Sequence, residues 1–191
     1  MAHDVTDVLA VLGVVGQAIV AVFILVALLA LVRLVAPLNA LRRLLWGYEL
    51  WAGFVVAAIA TGGSLFFSQI VGYIPCEMCW FQRICMYPLS ILLLFIAWHG
   101  ENRFARYLLV FPLFGTGASI YHILIENHWV GEPAACTAGA ASCNVKWINY
   151  FGYMTIPTLA LTGFLLLIGF LVLAAAGSGD EAATLAADAE R

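Results

Sequence analysis

Five stretches of this chain are apolar over a length that crosses roughly 30 Å of hydrocarbon as a helix. They lie near Val8 to Val35, Gly47 to Val71, Cys79 to Trp98, Tyr107 to Ile125 and Met154 to Ala175. None alternates with a period of two, and in lipid only a helix or a closed barrel satisfies its own backbone, so helices are expected throughout. Composition agrees, with 64% apolar residues, 10% charged residues and a mean hydropathy of +1.02. The first stretch is too long for the apolar part of a signal peptide and is preceded by acids instead of bases, so it is read as a retained span. A net charge of -3 with no basic stripe argues against nucleic acid as a partner. The expected fold class is an all-α integral membrane protein with five spans.

The eight basic residues set the expected topology. Arg33, Arg42 and Arg43 flank the first connection, Arg103 and Arg106 lie in the third, and Arg191 ends the tail. The second connection has no Lys or Arg and the fourth has only Lys146. The positive-inside rule then puts the N-terminus outside and the C-terminus in the cytoplasm of a multi-pass cell-membrane protein. From Gly177 the sequence "GSGDEAATLAADAER" turns to Ala, Asp and Glu without aromatics, as expected of a mobile acidic cytoplasmic tail over 177–191.

On this topology four of the five cysteines face outward, where disulfides persist. Cys76 and Cys79 occupy the turn "IPCEMC" ahead of a long helix, with Cys79 in or beside its first turn. A thiolate at Cys79 is favoured there by the helix dipole and unpaired N–H groups. A ring closed over two residues constrains the unfolded chain little, so a redox role is preferred to a staple. Arg83, four residues on, shares the Cys79 face about 6 Å deeper. A cation at that depth either snorkels to lipid phosphate or stabilises a thiolate and hydrogen-bonds a membrane-dissolved acceptor; intramembrane charge favours the second. Cys136 and Cys143 bracket "TAGAAS", a run expected to be flexible; closing it can serve structure, and a mobile exposed disulfide is also open to an incoming thiolate, two roles that do not exclude each other.

Other readings compete with these. Zinc or an iron–sulfur cluster would use the C-x2-C half, but x6 is wide for the other half, so no metal is assigned. A c-type haem would need His after Cys79, where Trp80 stands. Cys85 is expected to pack as a small hydrophobe. His122 either donates to a quinone oxygen or satisfies a neighbouring backbone group. Pro88, Pro112 and Pro157 are expected to kink their spans, and Gly62, Gly63, Gly115 and Gly117 to allow close helix approach.

The stretch "PCEMCWFQRICMYP", the later "YH", the second cysteine pair and "GYMTIP" at the last span together resemble the DsbB family of membrane disulfide-formation proteins, in its BdbC-like branch. The resemblance covers about residues 47 to 175. It implies a four-helix membrane domain over 47–176, leaving residues 1–46 as an added N-terminal transmembrane helix with its cytoplasmic connection. It further implies an enzyme that reoxidises an exported thioredoxin-fold (DsbA-like) thiol oxidase and passes the electrons to membrane quinone, ubiquinone or menaquinone. Carried onto this chain, the outer pair Cys136 and Cys143 meets the partner's thiolate, with Cys136 favoured. The released cysteine then attacks the Cys76/Cys79 bond, Cys79 faces quinone, and Arg83 is the cation on the quinone side. The competing expectation is a structural or assembly subunit whose outward disulfides are only staples. A conduit delivering reductant outward would need a cytoplasmic thiol, and the inward connections hold no cysteine.

Overall fold

The computed structural model describes residues 2–138 and 141–189, with side chains for 5–136 and 141–177. Its helices are α1 (Ala2–Leu31), α2 (Ala36–Leu45), α3 (Glu49–Leu65), α4 (Glu77–His99), α5 (Ala105–Leu108), α6 (Val110–Glu126), α7 (Ala134–Ala138) and α8 (Ile156–Ala189). Five helical segments are long and apolar enough to cross a membrane: Val5–Leu31, Glu49–Ile70, Glu77–His99, Asn102–Glu126 and Ile156–Gly177. They coincide with the five stretches expected from hydropathy, and the chain is an all-helical, multi-pass membrane protein.

The first span ends four residues earlier than its apolar run. Arg33 adopts φ 65°, Leu34 N–H donates to Leu29 O at 2.9 Å, and Arg33 N–H donates to Ala30 O at 3.0 Å. This is a Schellman termination with arginine where glycine usually sits. The chain then turns into α2, a short amphipathic helix with Arg42 and Arg43 in its last turn and no buried residue.

Helices α3, α4, α6 and α8 form a ring in which each packs on the next, and α1 lies outside it against α8. The ring closes on Ala57 of α3, Leu89 and Leu93 of α4, and Phe164, Leu167 and Leu171 of α8, all buried. Cys85 is buried in the same core, as expected for a small hydrophobe. The outer faces expose large apolar side chains, such as Ile84, Ile91 and Phe95 on α4. That is the surface a helix bundle offers to lipid tails.

Two expectations are revised. Pro112 is the third residue of α6 and Pro157 the second of α8, positions where an N–H has no helical acceptor to lose. Pro157 starts its helix, Pro112 follows by three residues the break at Leu109 that divides the span Asn102–Glu126 into α5 and α6, and Pro88 lies in a helix interior. Among the glycines singled out, Gly115 and Gly63 meet Phe164 and Leu9, whereas Gly62 and Gly117 face open space. Over the tail from Gly177 the backbone continues helix α8 to Ala189, in keeping with the helix propensity of its Ala- and Glu-rich sequence. Its last two residues lie outside the described residues.

At Gly115 an added Cβ would run into the buried Phe164 ring. Gly115→Val should destabilise the bundle by about 1–3 kcal/mol, and Phe164→Leu in the same chain should recover part of it. Thermal unfolding of the three proteins in detergent would measure both effects.

Candidate active site

The approach to α4 explains how two sulfurs come to lie side by side. α3 ends in a wider π turn, Phe66–Ile70, and Gly72 reverses the chain at φ 83°. The chain then extends through Pro75 to Cys76, the residue capping α4 in extended conformation. Cys79 is the third residue of that helix, so the two Sγ atoms approach to 3.0 Å as free thiols. The first-turn position expected for Cys79 is the one observed.

The second pair comes from the connection after α6. Cys136, on α7, is bonded to Cys143, with their Cα atoms 5.6 Å apart. Both are buried, and they share one apolar cluster with Cys76, Met78 and Ile125, against which Cys79 packs. Tertiary structure thus brings together two pairs that are 57 residues apart, counting from Cys79 to Cys136. The exposed disulfide expected on a flexible loop is not what is found, because Cys136 is 0% and Cys143 1% exposed. Glu132 supplies the reason. Its carboxylate accepts from Cys143 N–H at 2.6 Å, from Ser142 Oγ at 2.7 Å and from Asn144 Nδ2 at 2.9 Å, tying down the far end of the loop. Gly139 and Ala140, within the expected flexible run, lie outside the described residues.

His122 on α6 is 3% exposed. Its Nε2 lies 3.6 Å from Cys76 Sγ, and its Nδ1 lies 3.4 Å from Nε2 of buried Gln82. The Cys76 thiol is pushed down to about 4. The largest cause is the hydrogen bond from Cys79, burial opposes it, and the hydrogen bond and charge of His122 add to the lowering. The anion expected on Cys79 from the helix dipole is therefore better held by Cys76, which alone of the two meets the imidazole.

Arg83 lies one turn beyond Cys79 and reaches into the bundle. Its Nη2 donates to Ser64 O on α3 at 3.3 Å, and its guanidinium lies 5.4 Å from the Trp80 ring centre. The snorkelling alternative would direct it outward. Arg83 lines a cavity of about 100 Å³ with Cys79, Gln82, Tyr87, Phe67 and Trp147. Tyr73 stacks on Trp147 with centroids 4.8 Å apart, and Phe67 stacks on Tyr73 at 5.8 Å, so aromatic planes border the mouth. His122 does not line this chamber. It lines a small crevice under the Cys136–Cys143 loop, with Cys76, Cys79, Glu126 and Ser142. Helix α6 presents His122 to Cys76 on one ring nitrogen and, on the other, to Gln82, which does line the chamber.

Several site residues escaped the sequence reading. Gln82 and Glu126 had readable signals, one being a polar residue beside Arg83 and the other standing one turn after His122. Glu132 and Trp147 had none, since only the folded connection brings them to the sulfurs.

Two cysteine pairs at one end of a bundle, one beside an apolar chamber with a cation in it, define a membrane-embedded dithiol–disulfide site. The family model described as "Disulfide bond formation protein DsbB" matches residues 48–176, and the chain belongs to that family. Disulfide bond formation protein C of Bacillus subtilis (strain 168) is 44% identical over 126 residues, covering 65% of this chain and 90% of the relative. Probable disulfide formation protein C 1 of Bacillus anthracis is 39% identical over 124 residues, covering 62% and 85%. Probable disulfide formation protein of Deinococcus radiodurans is 37% identical over 133 residues, covering 64% and 86%. No solved structure matches the chain. Membership supports a role in disulfide bond formation. The helices α1 and α2 precede the matched residues.

Two outcomes are expected. Since the folded thiol ionises near 4, the Cys76 anion should be present at all higher pH and disappear as pH falls through that value. His122→Ala should move the loss upward. Ultraviolet thiolate absorbance in a Cys85→Ala, Cys136→Ser, Cys143→Ser chain would follow both. Glu132→Ala should leave the Cys143 N–H without its acceptor, lowering stability by about 1–3 kcal/mol. It should also speed reduction of the Cys136–Cys143 bond by a small dithiol, measured by alkylation and mass spectrometry.

Proposed function

We propose that the chain is a membrane thiol oxidase: it takes an electron pair from an exported thioredoxin-fold dithiol and passes it to a quinone dissolved in the membrane. The observation that carries this reading is the position of Cys79, which lines both the crevice beneath the Cys136–Cys143 loop and the chamber containing Arg83. Sulfur chemistry on one side of that wall and an acceptor on the other need only one residue between them.

The chamber suits a quinone ring. Its walls are largely apolar and aromatic, and its polar groups include the Arg83 guanidinium and the Gln82 amide, both able to donate to a carbonyl. A bound quinone would supply the oxidising power; Arg83, Tyr87 and Gln82 would hold and orient it. Distribution of Arg and Lys supports an outward-facing cysteine end. So does Tyr150, whose hydroxyl donates to Asp7 Oδ1 at 2.7 Å and so ties the N-terminal end of α1 to the cysteine end.

The exchange sequence conserves disulfides until the last step. A thiolate of the partner attacks Cys136, forming a mixed disulfide and releasing Cys143. Cys143 attacks Cys76, releasing Cys79. The partner's second thiolate displaces Cys136 and leaves with its own disulfide formed, and Cys136 closes again on Cys143, releasing Cys76. The result is a bonded outer pair above a reduced Cys76/Cys79 dithiol, the pairing pattern described above. Oxidation of that dithiol returns the inner disulfide and delivers two electrons to the acceptor.

Purified full-length protein mixed anaerobically with a reduced thioredoxin-fold protein and quinone should bleach the quinone absorbance. Cys79→Ser should abolish turnover, and Arg83→Gln should raise the KM for quinone by about tenfold or more, as expected for losing a charge-assisted hydrogen bond. Turnover unaffected by Cys79→Ser would return the cysteines to the role of staples.

A further inference from the structure

Quinone reduction consumes two protons as well as two electrons, and the exchange sequence leaves open where both protons wait. The sulfur pair supplies one at most while Cys76 is an anion. Glu126, which no step above uses, is a carboxyl group buried beside the pair, next to His122. It is the last residue of α6, 3% exposed, and one turn beyond His122 on the same helix face. Thr155 Oγ1 donates to its Oε2 at 2.7 Å. It lines the crevice that also holds Cys76, Cys79 and His122, a space of about 10 Å³, near the room one water takes.

We propose that Glu126 is the proton reservoir of the site: it is protonated when the Cys76/Cys79 pair is reduced and gives its proton to the acceptor, by way of Cys79, as the pair is oxidised. The proposal rests on the quinone-linked reading above. Its physical basis is that a crevice this small and this buried tolerates one negative charge at a time. A sulfur anion at Cys76, held by His122 Nε2–H, keeps the proton on Glu126, and loss of that anion in the disulfide lets the carboxylate ionise. The charged and titratable groups facing Glu126 are His122 on its own helix, Cys76 ahead of α4, and Lys146 in the connection before α8. Lys146 Nζ donates to the neighbouring Asn127 Oδ1 at 3.0 Å, which puts a cation near the carboxylate in its ionised state.

The balance closes. Before the step there is an anion on Cys76, a proton on Cys79 and a proton on Glu126. After it there is a Cys76–Cys79 bond, a Glu126 carboxylate, and a quinol holding both protons and both electrons. The net charge of the site is unchanged. Among the described residues Cys79 is the one titratable group lining both cavities, so it is the route by which the Glu126 proton reaches the chamber. Glu126 is recharged from water at the end of α6 when the pair is next reduced.

The test has a readout that needs no quinone. Infrared difference spectra of the full-length protein, oxidised minus dithiol-reduced, should contain a protonated carboxyl band in the reduced state that shifts in deuterium oxide. It should vanish in Glu126→Gln and return at a changed frequency in Glu126→Asp. With quinone, the prereduced Glu126→Gln protein should be slower in single turnover by about a hundredfold at high pH, the usual scale for losing an acid. The deficit should shrink as pH falls, because free protons replace the missing donor, and Glu126→Asp should restore most of the rate. An unchanged carboxyl band in Glu126→Gln, or a deficit equal at every pH, overturns the proposal. Wild-type protein inert toward quinone removes the parent reading and this step with it, while the infrared result stands apart from that failure.

Discussion

The organising constraint is the start of α4, where an extended segment meets a helix at the edge of the lipid layer. A residue in that position has water-accessible structure behind it and hydrocarbon ahead. Two cysteines three apart across the boundary put one sulfur, Cys76, against polar groups and the other, Cys79, against the chamber wall. Arg83 follows from the same geometry, because one further helical turn brings its side chain to the cavity that Cys79 also lines. Moving the helix start by one residue would rotate all three side chains about 100° and separate them.

Polar groups around this point are arranged by the requirement that buried donors and acceptors find partners. Glu132 gathers the Cys143 N–H, Ser142 and Asn144, Thr155 satisfies Glu126, and Ser64 receives both Arg83 and, on its hydroxyl, Tyr87 at 3.0 Å. The Glu132 bonds close the outer connection on itself, those of Arg83 and Tyr87 join α4 to α3, that of Thr155 joins the start of α8 to α6, and His122 of α6 meets Cys76 and Gln82. Cys136 and Cys143 are thereby buried. On the proposed function, an attacking thiolate has to gain access to a covered disulfide, which favours a docked partner over small thiols in solution.

The added helix has a separate logic. α1 packs on α8 through Phe23 and Phe170, edge to face with centroids 5.3 Å apart, where Gly169 leaves room for the ring. At the cysteine end it is tied by Tyr150 to Thr6 and Asp7 and by Tyr153 to Gln17. These contacts fall on the connection that carries Trp147 and Cys143. The helix outside the family match therefore braces the part of the domain that borders both cavities.

Span number, span type and the C-x2-C-x3-R arrangement were legible from the linear chain, because hydrocarbon thickness and helical rise leave few alternatives and because neighbours on one helix are fixed by its period. The short-range sulfur pair was legible for the same reason. What only the tertiary structure decided are the pairings between elements: His122 set between Cys76 and Gln82, Glu126 beside them, Glu132 on the far loop, and glycine contacts at Gly115 but not Gly117. Helix rotation about its own axis sets these, and the nearly uniform apolar faces of α6 and α8 give no periodic signal from which that rotation can be read. Close packing against specific neighbours supplies the missing angle, and packing exists only once the bundle has formed.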